Sequence, residues 1–146
     1  MTPNEIKNLW QTAQTLASLP PADISAICSN AAEVLSRAFE DRGIADDDFV
    51  EFTIYLVRLG VSADRMLTQA EYDLWHNAFR VALSPQQFHD MTNGGAAPEF
   101  IEKMDQLVDS LDEETKKAAC TIVMCFIAID GEVTDTEFDL LVKLFD

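Results

Sequence analysis

Basic residues are scarce in this chain. It has 10 Lys and Arg against 26 Asp and Glu, a formal net charge of −16 at pH 7. Such a surface repels nucleic acid phosphates and anionic lipid heads, which need clustered cations, so neither is an expected partner. It suits a bound cation or the basic face of a partner protein. Cysteine is limited to Cys28, Cys120 and Cys125, without metal-type spacing. An odd thiol count and no signal peptide lead to an expected cytoplasmic location. His76 and His89 are the only histidines, and their separation lacks the tight spacing of zinc ligands. There is no Gly-x-Ser-x-Gly, and Asn93-Gly94-Gly95 reads as a turn, since no Lys with Ser or Thr follows as in a phosphate loop. Catalysis is therefore not expected. The longest apolar run, Ala118 to Ile129, falls short of the ~20 residues of a membrane span. It reads as a buried helix, with its thiols as small hydrophobes, and no membrane insertion is expected.

What is abundant is helical periodicity. Thr2-Pro3-Asn4-Glu5 is a capping box with proline at the first helical position, and Pro20-Pro21 ends the helix it starts. A second helix from about Asp23 has Ile24, Ile27, Ala31, Val34 or Leu35 and Ala38 inward, with Gly43 as its stop. Asp46-Asp47-Asp48 opens a third, where carboxylates meet the positive dipole end; its stripe is Phe49, Phe52, Leu56 and Leu59. A fourth starts at Thr68, with Tyr72, Trp75, Phe79 and Ala82 inward. Ser84-Pro85-Gln86-Gln87 opens a short fifth helix and Pro98 a sixth, whose stripe is Ile101, Met104, Leu107 or Val108, and Leu111. Asp112-Glu113-Glu114 opens the seventh, and an eighth carries Phe138, Leu141, Leu144 and Phe145. Sustained period-two alternation is absent. The fold class is all-α, one domain over residues 1–146, with about eight helices.

One stretch is written twice. Asp130, Thr134, Glu137, Asp139 and Leu140 recur 66 positions earlier as Asp64, Thr68, Glu71, Asp73 and Leu74. The same offset carries residues 46–80 onto 112–146 without a gap: acidic helix start, apolar helix, acidic turn, amphipathic helix. Two similar helical halves about a pseudo-two-fold axis are expected, because either alone leaves wide apolar stripes exposed.

Helix capping accounts for part of the motif. Thr68 with Glu71, and Thr134 with Glu137, read as capping boxes. A cap does not demand the aspartate four positions before it, Asp64 or Asp130, nor the one five positions after it, Asp73 or Asp139. Gathered oxygen ligands between two helices are how hard divalent cations are held. A calcium EF-hand fits only partly: Gly131, Val133, Thr134 and Glu137 match, but the first two ligand positions fall on Phe126 and Ala128, which offer no side-chain oxygen.

Phe126-Ile127-Ala128-Ile129-Asp130-Gly131-Glu132-Val133-Thr134, followed by Glu137, resembles the TerB-like tellurite-resistance family. Its signature is Ala-Asp-Gly-x-x-Ser/Thr-x-x-Glu within an all-helical fold with an internal repeat. The resemblance runs over Phe126 to Leu144 and recurs from Ala63-Asp64 to Leu74. Ile129 replaces the signature alanine, and Arg65 stands where it has glycine, so Asp130 is the better placed of the two aspartates. The resemblance implies a divalent cation, calcium or another, at an acidic cluster, and a role in a tellurite-type stress response through partner proteins, without known catalysis. The carried-over metal residues are Asp64, Glu71, Asp130 and Glu137; Asp139 joins them from the motif itself. The alternative is a metal-free adaptor whose acidic face docks a basic partner.

Overall fold

The computed structural model describes residues 3–60, 68–80, 83–93 and 98–129. Every regular element among them is an α-helix: α1 (Pro3–Ala17), α2 (Pro21–Asp41), α3 (Asp46–Gly60), α4 (Gln69–Phe79), α5 (Pro85–Asn93), α6 (Pro98–Ser110) and α7 (Glu113–Ala128). The eighth helix expected from Thr134 lies outside the described residues.

The ends follow local chemistry. Pro21 opens α2 itself, two residues before the expected start, since a first helical position needs no N–H partner. At its other end Gly43 has φ of +69°, its N–H donates to the Glu40 carbonyl at 3.0 Å, and the Ile44 N–H reaches Phe39 at 3.0 Å. These two bonds form a Schellman motif, with Ile44 packed against the core beside Phe39. Asp112 caps α7, its Oδ1 accepting from the Thr115 N–H at 2.8 Å; the Thr115 side chain first, then this backbone bond, hold the Asp112 carboxyl below its ordinary range. Ser84 and Gln87 exchange both bonds of a capping box, 3.2 and 2.9 Å. Residue Arg80, which follows α4, is left-handed at φ 55°, ψ 34°. An L-residue there costs roughly 1–2 kcal/mol.

Helix α7 is the centre of the core. Ala118, Ala119, Cys120 and every residue from Ile122 to Ala128 are buried, as an all-round apolar helix must be. Helices α1, α2 and α3 pack on it; α4 packs on α2 and on α5, and α5 also packs on α3. Helix α3 is buried more widely than a single stripe: Phe52, Thr53, Ile54, Tyr55, Leu56 and Val57 are all inside. Phe52, Thr53, Ile54, Leu56 and Val57 lie 66 positions before Ala118, Ala119, Cys120, Ile122 and Val123, which are buried as well.

Two inward faces differ from expectation. On α6, Met104 and Val108 are buried, as is Leu111 just past its end, but Ile101 is 42% exposed and Phe100 packs on the core in its place. Helix α6 is also tied to α3 by the Tyr55 hydroxyl, which donates to Asp105. On α4 the buried residues are Glu71, Leu74 and Trp75. Tyr72 and Phe79, expected inward, are half-buried. The buried face is rotated toward Glu71, because α4 lies between α2 and α5 and not flat on one neighbour.

Candidate functional site

The first acidic turn enters the described residues at Thr68. Its extended backbone makes it the N-cap of α4. The Thr68 hydroxyl accepts from the Glu71 N–H at 3.2 Å. In return Glu71 Oε1 accepts from the Thr68 N–H at 3.1 Å and from the Thr68 hydroxyl at 3.0 Å. This is the capping box that the Thr-x-x-Glu spacing predicts. The spacing gave no sign of its depth: Glu71 is 0% exposed, whereas a box of this kind works equally well in water. One bond of the box ends on Thr68 Oγ1 and the other on Glu71 Oε1, which also takes the Thr68 hydroxyl, and the carboxylate that makes them is wholly inside.

Asp73, two residues on, is exposed and accepts from the Gln69 side chain at 2.9 Å. Two helical positions turn a side chain by about 200°, so Glu71 and Asp73 are on different sides of α4 and do not share a ligand. Of the expected metal residues, Glu71 is described; Asp64, Asp130, Glu137 and Asp139 lie outside the described residues. Among the described residues, no group of three or more His, Cys, Asp or Glu is gathered closely enough to hold a metal ion.

Close to Glu71 in sequence, Trp75 joins three helices. Trp75, one turn on, is 0% exposed and stacks on Phe88 of α5 with ring centroids 4.4 Å apart. Its indole N–H donates to the Thr53 hydroxyl of α3 at 3.1 Å, and that hydroxyl donates to the Val50 carbonyl at 2.7 Å. A tryptophan and a threonine thus tie α3, α4 and α5 together. Thr53 is the residue that sequence reasoning missed here, since a polar side chain inside an apolar stripe carries no periodicity signal.

The acidic surface has its own pattern. Glu99, Glu102, Asp105 and Asp109 lie along one side of α6, opposite the buried Met104 and Val108, and all four are exposed. Ile101 borders them. The thiols take no part in either feature. Cys28, Cys120 and Cys125 are reduced and buried. No helix among the described residues is long and apolar enough to cross a membrane. No protein-family model, curated protein or solved structure matches the chain.

Proposed function

We propose that the chain is a TerB-like acidic binding module without catalytic activity, in which the acidic turns hold a divalent cation and the acidic exterior engages a basic partner protein in a tellurite-type stress response. The two halves of that module are residues 46–80 and 112–146, each with two helices before it. The matched burial of α3 and α7 supports this arrangement, as does the packing of α1 on α7 and of α5 on α3.

The observation that carries the reading is the full burial of Glu71. Removing an ionised carboxylate from water costs on the order of several kcal/mol unless positive charge compensates it. A cap alone contributes about 1 kcal/mol, so capping does not justify the depth. In this reading a divalent cation shared with Asp64, or with Asp130, Glu137 and Asp139, adds positive charge to the contacts that Glu71 makes within the fold. In the metal-free adaptor a cationic side chain of the fold supplies it, and the exposed acidic side of α6 is the working surface.

Titration calorimetry with calcium, magnesium, manganese and zinc separates the two. Glutamine also completes a capping box, so Glu71→Gln keeps the helix start and removes the charge. The metal reading expects saturable binding by wild type tighter than about 1 mM, the weak end of protein calcium sites. Glu71→Gln and Asp130→Asn should each weaken it by about tenfold, roughly 1.4 kcal/mol. Silence from all four cations removes the metal. The adaptor then expects salt-sensitive association with a lysine-rich peptide that Glu102→Lys with Asp109→Lys abolishes.

A further inference from the structure

Away from the acidic turns, a groove of about 470 Å³ runs between α2, the start of α3 and the end of α4. That size suits a small molecule. Its composition is unlike the rest of the chain. Half-buried Phe49 and Phe79 meet edge to face within it, centroids 5.9 Å apart. Ser29, Asn30, Ser36 and Asn77 supply neutral donors and acceptors. In a chain with 26 acidic residues, the groove has one carboxylate, Glu33, and it is taken up by an ion pair with Arg37. Arg80 is the second guanidinium of the groove, and no ion pair to it occurs among the described residues. The local charge is therefore positive on a molecule whose net charge is −16.

Arg80 carries a second signal. It occupies the left-handed position at the end of α4, where glycine or asparagine is the favoured choice. A long L-residue there is a cost that closing the helix does not explain, and unfavourable backbone of this kind gathers at binding sites. The two features meet at one residue, the strained backbone and a cation with no ion pair among the described residues.

We infer that this groove binds a small organic anion, a carboxylate or phosphate ester carrying a flat apolar group. The anion sits against Arg37 and Arg80, whose planar forks suit either oxyanion. The apolar part lies on Phe49 and Phe79, and the serine and asparagine side chains orient it. This site is independent of any cation at the acidic turns.

The test is an amide-shift titration of the full chain, with benzoate and phenyl phosphate as probes for the two oxyanions and benzamide as the neutral control. Saturable shifts confined to residues 29–37, 49 and 77–80 are expected for at least one anion. Benzamide should bind at least about tenfold more weakly, because it lacks the charge-assisted contact. Arg80→Gly is the decisive variant. It should raise the melting temperature by about 3 °C, since glycine suits the left-handed position, and should weaken the anion by about tenfold or more. Arg37→Gln, at an exposed position, should weaken it without moving the melting temperature. Benzamide binding as well as benzoate overturns the inference, as does the absence of saturable shifts at these amides with both anions. A loss of affinity in Arg80→Gly that comes with a lower melting temperature also overturns it.

Discussion

Trp75→Ala is expected to destabilise the fold by about 3–5 kcal/mol, the range for deleting a large aromatic from a close-packed interior. Trp75 is 0% exposed and sits where α3, α4 and α5 meet. Truncation empties that junction, removes the stack on Phe88, and takes the indole donor from a Thr53 hydroxyl that is itself 0% exposed. Trp75→Phe separates the contributions. It retains a ring for the stack and loses the N–H, so it should cost nearer 1–2 kcal/mol, the combined scale of a lost hydrogen bond and a partly filled site. Ile101→Ala is the matched control, because Ile101 is 42% exposed and surface changes of this kind stay within about 0.5 kcal/mol. Urea unfolding followed by far-ultraviolet ellipticity reads all three, with the midpoint shifting at constant slope. A Trp75→Ala cost below about 1 kcal/mol would mean that the junction is not closed in the way described.

The same junction shows how far a sequence can be read without coordinates. Helix starts and stops were legible because they are local. The boxes at Thr68 and Ser84, the cap at Asp112 and the glycine turn at Gly43 each need only residues within about one helical turn. The all-round apolar run from Ala118 identified the central helix for a related reason, since it leaves no face for water. Which face of a partly polar helix turns inward is not local. On α6, stripes beginning at Phe100 or at Ile101 share Met104, Val108 and Leu111, and only the neighbouring helices choose between them. On α4 the aromatics at Tyr72, Trp75 and Phe79 mark a plausible stripe. The true face is rotated toward Leu74 and a glutamate, because the helix serves two neighbours. A charged residue reads as surface on composition alone, so the depth of Glu71 was invisible, although its capping partner was not. The arginine groove draws on residues from three helices far apart in sequence, and nothing in their spacing joins them.

Raising the pH above 9 is expected to destabilise the chain through its buried thiols. A hydrogen bond with the Cys125 sulfur, then burial, hold the Cys28 thiol well above its ordinary value of 9.0. Burial pushes Cys120 up to about 12. Burial and the hydrogen bond to Asp105 raise Tyr55 as well. All three are neutral acids with folded values above the unfolded ones. Below pH 9 the thiols are protonated in both states and contribute no pH dependence. Above pH 9 the unfolded chain releases thiol protons that the folded chain keeps, so stability falls as pH rises. For Cys120 the fall continues until its folded value near 12 is reached. Each thiol removes about 1.4 kcal/mol per pH unit in that window. Cys120 alone removes roughly 2 kcal/mol by pH 10.5, and Cys28 adds to the fall in the same direction, against the 5–15 kcal/mol that holds a typical domain. Urea midpoints at pH 8, 9.5 and 10.5, with a reductant present, read the slope. In Cys28→Ala with Cys120→Ala the midpoint at pH 8 should drop modestly for the lost sulfur volume. The alkaline slope should then flatten to the part left by Tyr55, which begins nearer its ordinary value of 10.0. A wild-type midpoint unchanged up to pH 10.5, or the same slope in the double variant, would show that these thiols are not held in the interior of α2 and α7.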